Sequence, residues 1–494
     1  MPASPTAASG GASHVAASGG APVIVLFRDD LRIADHPALH AAAARGVPVL
    51  PVFVVDCDHG LGEGPQARPL GGAVRWWLHH SLASLGERLA ALGAPLVLRG
   101  GRPAEVVPQL AAEDGAAAVL VNHSLNPALA ESERLLGERL AALGCRLEVM
   151  PHDHIVDPHG LRTGGGRVFQ VFTPFWKAVR ATVTPPPPLP APEALRPLPA
   201  PPAGAPLESF RLLPTRPDWA GGLRETWTPG EDAAWQALED FLGRRIVSYR
   251  TGRNIPAEPA TSRLSPHLRF GEITVRQVWH AVTATGDSAG AEHFLSELGW
   301  REFSVYQGVH APDMARRSLR HSYDAFPWRQ APADLAAWQQ GRTGYPIVDA
   351  GMRELWHTGW MHNRVRMIVG SFLVKDLLLS WQSGEEWFHD TLVDAHWASN
   401  AASWQWVAGC GADAAPYFRV FNPVLQGEKF DPRGQYVRRW VPELRSISDR
   451  LIHRPWESPL ELAATGYPQP MVDHGAARHR ALAAWRSIKE EAEE

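Results

Sequence analysis

Short apolar runs alternate with helically spaced apolar positions through the first third of the chain. The runs Val23–Phe27, Val47–Val55, Pro95–Leu98, Ala117–Val121 and Leu147–Met150 are mostly apolar and read as buried strands. Between the second and third, Val74–Leu92 repeats Leu78, Leu82, Leu85 and Leu89 at helical spacing. Strand and helix therefore alternate, which predicts an open parallel α/β sheet over residues 21–150. It is Rossmann-like in outline, but no GxGxxG follows the first strand, so the usual dinucleotide fingerprint is missing. Beyond residue 226 the pattern turns helical. Glu231–Leu242 opens after a Pro-Gly turn, Val365–Leu379 reads as one long apolar helix, and no alternating strand appears. The expectation is an all-α second domain over 226–480, with a tail at 481–494.

The segments around these domains differ in composition. Residues 1–20 are almost entirely Ala, Ser and Gly, with AASGGA occurring from Ala7 and again from Ala16, and predict a disordered tail. Residues 151–225 read as an interdomain linker. Within it, Pro185 to Pro206 holds 11 prolines in 22 residues, which no helix or central strand tolerates.

Charge and cysteine usage exclude several classes. The net charge of −4 gives no global basic excess, so nucleic-acid binding requires a local basic surface. Cys57, Cys145 and Cys410 are too few and too widely spaced for a disulfide framework or a four-ligand zinc site, and no metal is expected. No run of about 18 apolar residues appears, and the N-terminus lacks a basic and an apolar signal region, so a cytoplasmic protein off the membrane is expected. The unusual statistic is 20 Trp against 7 Tyr, with 16 of the Trp from Trp227 onward. Trp needs a partner for its indole N–H when buried, so this density calls for a cause. Core packing, stacking platforms and an electron path are the alternatives, and position must decide among them.

Four segments of the second half carry candidate chemistry. Thr261-Ser262-Arg263-Leu264-Ser265-Pro266 precedes a helical stretch and offers hydroxyls for a phosphate, although Ser and Thr cap most helices. Glu297, Trp300 and Arg301 stand at i, i+3 and i+4 and share a helix face. Asn363, Arg366 and Met367 do the same, beside a His362 that no Cys/His cluster surrounds. Asp394-Ala395-His396-Trp397-Ala398-Ser399-Asn400 runs into Ala401-Ala402-Ser403-Trp404-Gln405-Trp406, where small residues flank Trp404 and Trp406. Each has an ordinary structural reading. Four in one domain point to a planar, hydrogen-bonding ligand.

Together these segments resemble the photolyase/cryptochrome family over about residues 22–480. The opening Leu26-Phe27-Arg28-Asp29-Asp30-Leu31-Arg32 is similar to the family's first strand and loop. Ser262-Arg263-Leu264-Ser265-Pro266, Trp300-Arg301-Glu302-Phe303, Gly344-Tyr345-Pro346-Ile347-Val348-Asp349-Ala350, Trp360-Met361-His362-Asn363-Arg364 and Trp404-Gln405-Trp406 are similar to its flavin domain. The resemblance implies FAD folded inside the helical domain and active as fully reduced FADH−. It assigns Tyr249 and Thr261, Ser262, Arg263, Leu264 and Ser265 to the FAD phosphates and sugar. Arg301, Asn363 and Arg366 would line the pocket, Asp394 would pair with Arg366, and Asn400 would sit near flavin N5, where a side-chain amide tunes the reduced forms.

The implied reaction is light-driven splitting of cyclobutane pyrimidine dimers in UV-damaged DNA, a carbon–carbon lyase step without net redox change. Trp300 and Trp406 match the clamp on the flipped dimer, and Glu297 matches the carboxylate that hydrogen-bonds its bases. Arg253, Arg364, Gln426 and Lys429 are candidates for backbone contacts, along with Arg301 and Asn363 at the dimer. Trp404, Trp381 and Trp328 match the family's three-tryptophan electron chain. Asn363, Met367 and Glu297 favour the class I cyclobutane-dimer branch over (6-4) photolyases, which carry His, His and usually Gln there. Retention of Glu297, Trp300, Met367 and Trp406 favours repair over a cryptochrome photoreceptor. A monomer without an obligate protein partner is expected.

Three departures stand out. His396 occupies a place where the family usually has Asp, so the flavin's redox state is expected to depend on pH between about 5 and 8, where His titrates. Phe294 stands where Trp is common. Asn122-His123-Ser124-Leu125-Asn126 lacks the Glu of folate-binding relatives, which leaves the antenna open among methenyltetrahydrofolate, a deazaflavin and none.

Overall fold

A computed structural model describes residues 20–414 and 419–490; residues 1–19 of the expected tail, together with 415–418 and 491–494, lie outside the described residues. The predicted runs are strands β1 (Val23–Phe27), β2 (Val49–Val55), β3 (Val97–Gly100), β4 (Ala118–Asn122) and β5 (Arg146–Met150). All pair in parallel in the order β3-β2-β1-β4-β5. Alternation along β1 explains the layers. Val23, Val25 and Phe27 face helices α1 (Pro37–Ala44) and α2 (Gly72–Ala91), while Ile24 and Leu26 face α3 (Pro103–Glu113) and α4 (Pro127–Ala142). A sheet covered on both faces needs continuous apolar strands, as the sequence shows.

The chain order reverses between β1 and β4, which opens a crevice at their carboxyl ends. Here polar side chains of the protein itself line it. Arg28 pairs with Glu133 at 2.8 Å, and Asp30 is met by His36 at 3.1 Å and by the Asn122 amide at 2.8 Å.

The segment expected as linker is more ordered than its composition suggests. It contains the helix Phe172–Thr182, whose Phe172, Phe175 and Val179 are buried. The proline stretch runs along the sheet domain: Leu195 and Ala205 donate backbone hydrogen bonds to the carbonyls of Leu92 and Leu98. Proline lacks the N–H of a ladder but leaves these neighbouring residues free to dock.

After Trp227 the described residues hold helices only. Glu231–Arg244 begins where expected. The expected helix Val365–Leu379 is not continuous. An α-helix Asn363–Ser371 passes into a π-helical turn Phe372–Asp376 and stops at Leu378, whose φ is +56°. The cause is polar. Within the turn Asp376 accepts from His474 at 2.5 Å, and buried Lys375 reaches the carbonyl of Arg419, contacts a regular helix does not aim. The helix His474–Glu490 crosses the expected boundary at 480, with Ala481 and Ile488 buried. One apolar cluster extends from Val23 in β1 to Ile488, so the two domains share a core. No described helix is long and apolar enough to cross a membrane.

Candidate active site

The helical domain encloses a cavity of about 740 Å³, within the range of cofactor sites. Of the sequence-predicted residues, Tyr249, Arg253, Thr261 through Ser265, Glu297, Trp300, Arg301, Asn363, Arg364, Arg366, Met367, Asp394, His396, Asn400, Trp404 and Trp406 all line it. Trp381, Trp328, Gln426 and Lys429 do not. Trp381 is fully buried behind the wall, and Gln426 and Lys429 lie on the helix Pro423–Phe430 outside the cavity.

One end of the cavity is built for an anion. Arg263 has φ of +55°, an uncommon conformation for a residue with Cβ. It slots its guanidinium between Trp227 and Trp360, 4.4 and 4.8 Å from the ring centroids. Arg263 forms no ion pair among the described residues, and burial pushes its pKa down. A half-buried guanidinium that forms no ion pair among the described residues, beside the hydroxyls of Thr261 and Ser262, suits an anionic partner. Beside it, Arg366 pairs with Asp394 at 2.8 Å, and the Ser265 hydroxyl donates to the same carboxylate at 2.7 Å.

The other end is aromatic. The helix Ala289–His310 presents Glu297, Trp300 and Arg301 on one face, as the spacing predicts. Trp300 stacks on Phe172 with centroids 3.9 Å apart and planes 11° apart, which covers one indole face and holds the ring rigid. Trp406 lines the same cavity. Glu297 pairs with Arg253 at 2.7 Å; burial raises its pKa, and Arg253 opposes that rise. Arg364 donates to the Asn254 side chain at 2.7 Å and lies 4.4 Å from the Phe430 ring, with Lys429 5.2 Å from it. Phe294 is buried against Phe241 and Tyr249, a simple apolar filling of its place.

Asn400 is held from behind. Its amide donates to the Glu385 carbonyl at 3.0 Å and to the Glu385 carboxylate at 2.9 Å. Trp404 packs edge-on against Phe388 at 5.0 Å. Burial falls along the expected electron chain: Trp404 and Trp381 are buried, whereas Trp328 is partly exposed against Phe326. Gly384 lies flat under Trp404, so that a Cβ there would collide with the indole. Gly384→Ala is therefore expected to displace Trp404, which the family resemblance places in the electron chain, and so to slow photoreduction of an oxidised flavin more than it slows any reaction of chemically reduced protein. Flash photolysis beside a repair assay reads both.

The amino-terminal segment matches the family model described as DNA photolyase over residues 23–193, and residues 294–487 match the FAD binding domain of DNA photolyase. The chain is 46% identical over 480 residues to a deoxyribodipyrimidine photo-lyase of Agrobacterium fabrum, covering 95% of this chain and 98% of that one. It belongs to the DNA photolyase family. A solved structure of a class III photolyase from Agrobacterium tumefaciens superposes with a TM-score of 0.91 at 46% identity, over 97% of this chain and all of the other. Cryptochrome-2 of Arabidopsis thaliana is 37% identical, over 92% of this chain and 77% of that one.

FAD is the cofactor of this photolyase-family protein, and the residues present fit it: the Arg263 guanidinium beside the Thr261 and Ser262 hydroxyls for phosphates, and the Asn400 amide and the Arg366–Asp394 ion pair along the cavity. His396 corrects one sequence expectation. Its Nδ1 caps the helix Trp397–Ala408 by accepting from the Ser399 N–H at 3.2 Å, which leaves the proton on Nε2. Burial first, then the Arg301 and Arg269 guanidiniums, hold its pKa well below the usual imidazole value. A His with a depressed pKa stays neutral as pH falls through 6.5, so a redox titration of the flavin is expected to show no inflection from His396 between about pH 5 and 8. An inflection there that His396→Asn removes would contradict this.

A second, polar cavity lies across the wall formed by Leu268, Arg269, Arg301 and His396, and Asn122 through Asn126 line its far side. Its volume of about 40 Å³ is room for a few waters. Sequence reasoning missed Phe172 and the Trp227–Trp360 slot because each is a contact between distant segments with no motif of its own.

Proposed function

We propose that this protein repairs cyclobutane pyrimidine dimers in DNA under light. The observation that carries this reading is the shared cavity: the aromatic pair Trp300 and Trp406 and the carboxylate of Glu297 open onto the space bounded by the FAD residues. Bound FAD, reduced and excited, would supply the electron that opens the dimer and would take it back once the bonds have broken, so no net redox change results. The protein supplies the rest. Extrusion of the dimer costs a few kcal/mol, less for damaged bases, and the open faces of Trp300 and Trp406 receive it by stacking. Glu297, oriented by Arg253, hydrogen-bonds the bases. Arg253, Arg364, Gln426 and Lys429 take the DNA backbone around the mouth, while Arg301 and Asn363 border the dimer. Trp404, Trp381 and Trp328 carry electrons inward to activate the oxidised protein.

Glu297, Asn363 and Met367 support cyclobutane dimers over (6-4) lesions. On class, 46% identity to a class III photolyase supports class III over the class I reading of the motifs. Cryptochrome-2 is the precedent for a photoreceptor alternative. Purified protein under reductant and near-UV light is expected to restore thymine dimers in an oligonucleotide to monomers. Reduced, FAD-loaded protein that leaves them intact would refute the proposal. An absorption spectrum compared with that of bound FAD alone tests for an antenna chromophore.

A further inference from the structure

The segment Arg68–Gly72, which leads into α2 of the sheet domain, grips the helix Trp381–Thr391 of the FAD domain at four points. Arg68 meets Glu385 in a two-point ion pair, both bonds 2.9 Å. His389 Nε2 lies 2.8 Å from the Pro69 carbonyl. The Gly72 N–H donates to Asp390 at 2.8 Å, and Gly71 lies so close that a Cβ would collide with the His389 carbonyl. The Glu385 side chain is only 2% exposed, against 22% for Arg68. Arg68 is the cation paired with that buried carboxylate among the described residues.

Glu385 in turn uses its carbonyl and one carboxylate oxygen to accept both N–H groups of the Asn400 amide, at 3.0 and 2.9 Å. The same carboxylate oxygen accepts from Arg68. An amide has two N–H donors on one side and an acceptor oxygen on the other. With both donors committed, the Asn400 oxygen is the atom left for the cavity. Flipping the amide would set its oxygen against two acceptor oxygens. That arrangement holds only while the Glu385 carboxylate stays where it accepts, and Arg68, bonded to both of its oxygens, is what fixes it there.

We infer that Arg68, a residue of the sheet domain, is a positioning residue for the flavin: its two-point pair holds the Glu385 carboxylate in place as an acceptor, and thereby keeps the carbonyl oxygen of Asn400 turned toward the cofactor edge. The inference rests on the proposed placement of Asn400 beside flavin N5. An acceptor there favours the cofactor form that carries a proton at that edge. Loss of Arg68 releases the amide and shifts the flavin midpoint potential to more negative values.

The test is a spectroelectrochemical titration of FAD-loaded wild type, Arg68→Met, Arg68→Lys, Glu385→Gln and the Arg68→Met/Glu385→Gln double variant, with FAD stoichiometry and melting temperature measured on each. Arg68→Met is expected to retain FAD, to shift the potential negatively, and to add nothing on top of Glu385→Gln, because Arg68 acts through Glu385. Arg68→Lys, which keeps the charge and loses one of the two bonds, is expected to restore most of the shift. An unchanged potential in FAD-loaded Arg68→Met, or additive effects in the double variant, would overturn the inference. If Arg68→Met loses FAD, the lysine variant and the Glu385→Gln background decide by the same criteria. Wild-type protein that binds no FAD would instead defeat the functional reading, so the two failures are separable.

Discussion

Replacing Asp394 with alanine is expected to yield a protein that folds but is purified without FAD. Asp394 is 4% exposed at its side chain, and it accepts two bonds from Arg366, at 3.0 and 2.8 Å, and one from Ser265. Its removal leaves a guanidinium facing the cavity with no counter-charge and frees the Ser265 hydroxyl, which in turn carries the Trp360 indole N–H at 3.3 Å. Trp360 forms one side of the slot for Arg263, so the damage spreads from the flavin end to the phosphate end. Breaking a buried ion pair by deleting one partner costs roughly 3–5 kcal/mol. Felt in cofactor binding, that is a loss of about two to nearly four orders of magnitude in affinity at 1.4 kcal/mol per decade. The ratio of flavin absorbance to protein after dialysis measures it. A stoichiometric yellow protein would show that the pair is not part of the cofactor's hold.

The second large effect concerns the substrate. Trp300→Ala and Trp406→Ala are each expected to weaken binding of dimer-containing DNA by about tenfold to a hundredfold, from ~1–3 kcal/mol of stacking per base. Binding of undamaged duplex should change little, because backbone contacts and not stacking carry it. Trp300 should matter more than its contact area suggests. Phe172 already covers its rear face at 3.9 Å, so the ring meets a flipped base without losing rotamer freedom. Competition binding with matched damaged and undamaged oligonucleotides separates the two terms. Equal losses on both would mean that the indoles do not contact the dimer.

The fold was legible because its signals are local. Strand runs and helical spacing lie within a few residues of one another, and the five strands formed within a few residues of the expected bounds. So did the shared helix face of Glu297, Trp300 and Arg301. The residues that touch the cavity were legible as well, through their segments and the family resemblance those segments carry. The tertiary structure decided what depends on neighbours far along the chain. Arg68 and Glu385 are 317 residues apart, and nothing near either marks the pair. Phe172 sits in a segment whose prolines suggested a plain linker. The helix from Asn363 was expected to continue because its residues are apolar; buried Lys375 and Asp376 have partners on Arg419 and the C-terminal helix, and the backbone turns to reach them. His396 shows the limit most plainly. Its identity predicts titration near neutrality, but its proton affinity is set by burial and by Arg301 and Arg269, and those exist only once the chain has folded.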